Sequence, residues 1–108
     1  MNAFKRLVEE RDRSLLHEGG RLAIVSVLAA APSLTFTELR DTLEMTDGNL
    51  SIHLQKLEQK GYVAIDKQFV GRRPQTSARL TRAGRTAFTR HLDSLEAIVR
   101  QGRSQTGA

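Results

Sequence analysis

The stretch Thr46–Gly61 constrains this chain more than any other. Leu50, Leu54 and Leu57 recur at the i, i+4, i+7 spacing of a single buried stripe on a helix. Thr46, Asp47 and Gly48 open the stretch with small polar residues able to cap a helix, and Gly61 is suited to stop one. The opposite side of the wheel carries Gly48, Ser51, Ile52, Gln55 and Gln59, flanked by Asn49 and Lys56. A face turned only to water more often holds several Glu and Lys residues. Small groups that donate and accept hydrogen bonds suit close approach to another surface, of which the edges of DNA bases are one. Taken alone, the stretch is equally an ordinary amphipathic helix of an α-helical domain. The flanking sequence has to decide.

Upstream, residues 3–16 read as a first helix with Phe4, Leu7, Val8 and Leu15 on one side. The paired glycines Gly19 and Gly20 are expected to break it. A second helix from Arg21 to Ala31 stops before Pro32, and its Leu22, Ile24, Val25, Val27 and Leu28 cover nearly the whole circumference, as in a central buried helix. Thr35 and Glu38 fit a capping box. A short helix then runs through Leu43, burying Leu39 and Leu43, and Glu44-Met45 turns the chain into the stretch capped by Thr46. Short helix, tight turn and longer helix with a polar outer face make a helix-turn-helix pattern.

After Gly61 the period changes to two. Val63, Ile65 and Phe69 alternate with Lys67 as an interruption, and Ser77–Leu80 continues as a second strand with Ala78 and Leu80 on one side. Between them Gly71-Arg72-Arg73-Pro74-Gln75 reads as the basic loop of a β-hairpin. Such a loop is usually solvated, but directly after a helix-turn-helix it suits a phosphate or minor-groove contact. Thr81 caps a final helix, 81–101, where Phe88, Leu92, Leu95 and Val99 step by four, three and four like a coiled-coil seam. That helix would span roughly 30 Å, longer than the domain can cover. A second copy is the simplest cover for the exposed stripe, with Phe4, Leu7 and Val8 joining; folding back onto its own domain is the other possibility.

The charge is unevenly placed. Residues 46–86 hold 8 Lys/Arg against 3 Asp/Glu, whereas residues 1–45 hold 6 against 7. A basic footprint confined to the helix-turn-helix and hairpin implies a polyanionic partner. A membrane surface fits poorly, because no helix combines a large apolar face with a Lys/Arg-rich one. The 108 residues suffice for one domain, and no apolar run approaches a membrane span. The N-terminus lacks the apolar core of a signal peptide, so a soluble cytoplasmic protein is expected. With no cysteine, disulfides, thiolate metal sites and cysteine nucleophiles are excluded.

The order helix, helix, helix, β-hairpin, helix resembles a winged helix-turn-helix domain. It is similar to the small stand-alone winged-helix transcriptional regulators related to the MarR and ArsR families. The residues carrying the resemblance are Phe36–Leu39, Thr46–Val63, Phe69–Thr76 as the wing and Leu80–Arg85 after it. It covers roughly residues 19–90 of a single domain over 1–108, with the helices at 1–16 and 86–101 expected in a dimer interface. The fold class it implies is mainly α with a small β-hairpin. It further implies that Gly48, Asn49, Ser51, Ile52 and Gln55 face bases in the major groove. Gln55 and Asn49 could pair with adenine, and Ile52 could meet a thymine methyl. Thr35, Thr37, Thr46, His53, Lys56 and Thr76 would lie near phosphates, and Arg72, Arg73 and Gln75 would form the wing contact. Metal-sensing ArsR members carry paired cysteines, which are missing here. His17, His53 and His91 are too scattered to replace them, so neither metal nor cofactor is expected.

Three functions follow for comparison. The first is a homodimeric, sequence-specific regulator bound to double-stranded DNA, with any small-molecule effector left open. The second is a winged helix used as a protein adaptor or antirepressor, which the uncharged recognition face disfavours because protein interfaces are anchored by bulky residues. An enzyme is the third, and no nucleophile–base set, carboxylate pair or phosphate loop can be placed for it.

Overall fold

The structure is a computed structural model that describes residues 19–105. The expected first helix, with Phe4, Leu7 and Val8, lies outside the described residues, as does His17. In chain order the elements are α1 (Gly19–Ala30), β1 (Leu34–Thr35), α2 (Phe36–Leu43), α3 (Asp47–Gln59), β2 (Val63–Val70), β3 (Arg73–Leu80) and α4 (Arg82–Gln105).

The core forms where the two leucine-rich stripes meet. Ile24, Val25 and Leu28 of α1 are fully buried with Leu39 of α2 and Leu50 and Leu57 of α3, and Leu54, Val63 and Ala78 are buried beside them. Fully burying aliphatic side chains of this size contributes about 1.5–3 kcal/mol each, so this cluster holds the three helices on the sheet. Gly19 and Gly20 both belong to α1, which therefore starts two residues ahead of the Arg21 expected from the sequence. Gly20 is needed inside the helix for space: a Cβ there would come within 2.6 Å of the His53 ring.

Both ends of the helix-turn-helix are closed by local hydrogen bonds. Thr35 caps α2 through the capping box, its hydroxyl accepting from the Glu38 amide while the Glu38 carboxylate accepts from the Thr35 amide. Thr46 caps α3 by accepting from the Asn49 amide. At the end of α3, Gly61 takes φ 77°, Gly61 N–H donates to Glu58 O and Tyr62 N–H to Leu57 O. That pair of bonds is a Schellman closure, which a left-handed glycine permits. The end of α2 closes similarly, Met45 N–H donating to Arg40 O, but there Glu44 holds the left-handed position at φ 52°.

The sheet has the order β1-β3-β2, all antiparallel. β1 pairs only Leu34 with Ala78 and Thr35 with Ser77. β2 and β3 pair in register from Val63–Leu80 to Val70–Arg73. The hairpin loop is therefore shorter than its sequence suggested: Arg73, Pro74 and Gln75 belong to β3, leaving Gly71 and Arg72 as the turn. Gly71 at φ 66° followed by a residue at negative φ fits a type II′ turn, whose twist matches that of the strands. The period-two alternation places Phe69 on the face of Val63 and Ile65, yet the helical body does not extend that far. Phe69 is 75% exposed.

α4 starts on the hairpin base. Thr81 N–H donates to Tyr62 O, its hydroxyl donates to Gly61 O and accepts from the Gly84 amide, and Gly84 is packed so tightly that a Cβ would lie 2.0 Å from Tyr62 O. Ala87 and Phe88 then pack, half-buried, against the core, so the first position of the expected seam already touches its own domain. Further along, Leu92 and Val99 are 46% and 52% exposed while Leu95 is half-buried. His91, on the same helix, is buried.

Two substitutions test these constraints. Gly84→Ala should lower stability in urea unfolding by about 1–3 kcal/mol, the usual cost of overpacking, because backbone blocks the added methyl. Glu44→Gly should raise stability by about 0.5–1 kcal/mol by relieving the left-handed glutamate, net of glycine's extra freedom when unfolded.

Candidate nucleic-acid interface

The leucine stripe determines what α3 shows to solvent. With Leu50, Leu54 and Leu57 turned into the core, Gly48, Asn49, Ser51, Ile52 and Gln55 are all exposed on the outer side. Ile52 is 53% exposed, an aliphatic group amid small polar neighbours. Lys56 is exposed at the flank. His53 is the exception among the expected contacts. It is half-buried and turned inward against Gly20, with no hydrogen bond to its buried Nδ1 among the described residues. Its position, one residue before Leu54, turns it toward α1 and away from any surface ligand.

The remaining expected residues gather elsewhere. Thr35, Thr37, Arg73, Gln75 and Thr76 line one open cleft of about 500 Å³ between the start of α2 and the wing, with Phe36, Val70 and Pro74. The first turn of α2 borders this cleft, so the positive end of its helix dipole and Arg73 line the same opening. The hydroxyl oxygens of Thr35 and Thr46 accept cap bonds from the Glu38 and Asn49 amides, which engages their acceptor side and not their O–H. Arg72 stands at the tip of the wing, and both it and Arg73 are exposed.

The charges around this surface are arranged so that cations remain available. Asp47, at the first turn of α3, is taken up by Arg40 Nη1 at 3.1 Å, while Arg40 Nε holds Asp41 at the same distance. Asp66 on the wing is paired with Arg79 at 3.7 Å. Lys56, Lys67, Arg72 and Arg73 make no ion pair among the described residues, and all four are exposed. Arg40 was not singled out from sequence, although its spacing of seven residues from Asp47 across the turn carries the signal. No group of three or more His, Cys, Asp or Glu residues able to hold a metal is found among the described residues. No helix among them is long and apolar enough to cross a membrane.

A family profile described as a winged helix DNA-binding domain matches residues 21–99 of the chain. An uncharacterized protein of Methanocaldococcus jannaschii is 36% identical over 72 residues, covering 67% of this chain and 78% of that protein. A transcriptional regulator homologue from Pyrococcus horikoshii is structurally similar at a TM-score of 0.82 and 30% identity, covering 89% of this chain and 96% of that one. A mutant MarR from E. coli, solved in complex with operator DNA, has the same fold at a TM-score of 0.68 and 18% identity, covering 97% and 79%.

The capping box makes the helix-turn-helix sensitive to acid. The Thr35 amide, and secondarily its hydroxyl, hold the Glu38 carboxyl below the ordinary glutamate value. A depressed carboxyl contributes stability above its unfolded pKa and loses it as pH falls through the folded one. In an NMR titration, Glu38 should therefore titrate lower in the folded chain than in the urea-unfolded chain. Glu38→Gln should be less stable than the parent at neutral pH, and the difference should close in acid.

Proposed function

We propose that this chain, which belongs to the winged helix DNA-binding domain family, is a homodimeric transcriptional regulator that reads double-stranded DNA by sequence. The observation that carries this reading is the outer face of α3. Five residues able to make hydrogen bonds, close backbone approach or methyl contacts are exposed there, with no ion pair to withdraw them. With α3 in the major groove, Asn49 and Gln55 are suited to adenine edges and Ile52 to a thymine methyl, while Gly48 and Ser51 allow close approach. Lys56, Thr37 and Thr46 lie where the groove walls would run. The cleft bordered by Thr35, Thr76, Gln75 and Arg73 suits a backbone phosphate, and Arg72 the adjacent minor groove.

The second copy would cover the long helix. Leu92 and Val99 lie two turns apart on α4 with Leu95 between them, and both outer residues are half-exposed in the single chain. A symmetric pairing along this stripe would set two α3 helices on one side of the dimer. Their half-sites would then fall about one helical turn apart, on the order of 34 Å.

Binding to duplexes selected from a random library should weaken roughly 10³-fold or more between 50 and 200 mM salt, as expected when six to ten phosphates are neutralised. Combined Arg72→Ala and Arg73→Ala should weaken every sequence alike, whereas Gln55→Ala should change which sequence is preferred. Leu92→Glu with Val99→Glu should sediment as a monomer. Salt-independent binding, or no duplex retained from the library, rules the reading out.

A further inference from the structure

Base reading and phosphate neutralisation leave one feature of the wing unaccounted for. Phe69 is 75% exposed and Val70 56%, at the far end of a hairpin that is otherwise polar beyond Ile65. Phe69 stands opposite Pro74 in the ladder, so the last side chains on that face before the turn are a phenyl ring and a pyrrolidine ring. Lys67 shares the face one pleat back, and Arg72 and Arg73 sit at the tip; none of the three makes an ion pair among the described residues. The eight-residue strands and two-residue turn make this a stiff projection.

An apolar ring set among unpaired cations is matched by a partner with a polyanionic rim and an apolar interior. The minor groove of a duplex has that form, with phosphates along its edges and sugars and stacked bases within. An apolar protein patch would instead have to strip water from three unpaired cations, which opposes that partner. We propose that Phe69, with Pro74 across from it, is a wedge that the wing presses into the minor groove beside each half-site, partly unstacking one base step and bending the duplex. This rests on the duplex-binding reading and adds a shape-reading element to it. Steps that unstack most easily, such as TA and CA, would then be favoured at a flank that no side chain reads by hydrogen bonding.

The test uses the full chain and a duplex recovered from a random library by the parent protein, labelled with a donor and an acceptor dye at its two ends. The parent should shorten the end-to-end distance, and Phe69→Ala should abolish the shortening and weaken binding roughly tenfold, in keeping with the loss of one base-stacking contact. Phe69→Leu, which keeps apolar bulk, should retain most of the bend. Repeating the selection with Phe69→Ala should lose the flanking step and keep the inner bases. Because the ring is exposed, the fold is expected to survive each change, with an unaltered thermal melt as the check. An unchanged bend and flank preference in Phe69→Ala overturns the wedge and leaves duplex binding standing. A parent protein that retains no duplex overturns both. If Phe69→Ala instead changes the sedimenting species, the ring belongs to a contact between copies and the wedge is wrong.

Discussion

One threonine joins the parts that have to act together. Thr81 donates its hydroxyl to the carbonyl of Gly61, just past the end of α3, and accepts from the amide of Gly84, in the first turn of α4. Its own amide donates to Tyr62 at the base of the wing. The end of α3, the root of the hairpin and the start of the long helix thus meet at a single residue. Gly84 lets α4 come against the Tyr62 carbonyl closely enough for these bonds to form. Any rotation of the first turn of α4 would have to stretch these bonds.

Much of this was legible in the sequence, for a physical reason. Leu50, Leu54 and Leu57 have one arrangement that buries all three, and Thr35 with Glu38 can satisfy each other only at a helix start. Signals of that kind are local. What escaped was set by neighbours distant in sequence. Leu34-Thr35 is a strand solely because β3 presents an edge to it, and two residues carry no period. Gly19 and Gly20 look like a break, yet the His53 ring demands a glycine inside the helix. Phe69 obeys the strand alternation, but whether an inward-facing residue meets a core depends on how far the helices reach. Likewise, the outward character of Gly48, Asn49, Ser51, Ile52 and Gln55 followed from the stripe, whereas the meeting of Thr37, Arg73 and Thr76 around one cleft depends on how the sheet is folded.

Two acids near this surface, Asp47 and Asp66, are each paired with an arginine. Asp47 lies at the N-terminus of α3, where the helix dipole favours it for stability but where it would repel a polyanion. Arg40 resolves the conflict from the preceding helix, and Arg79 does the same for Asp66 on the wing. Exposed pairs of this kind add little to stability. Their effect is on the surface potential, which is left to Lys56, Lys67, Arg72 and Arg73.

The ladder between β2 and β3 also restricts how this surface can evolve. Each of its eight pairs is matched one to one from Val63–Leu80 to Val70–Arg73. Losing or gaining a single residue in one strand would exchange the two faces beyond that point, sending Lys67 and Phe69 to the side now held by Asp66 and Gln68. Only changes of two residues in each strand keep both faces as they are. The reach of the wing is accordingly graduated, available in increments of about 7 Å and nothing between.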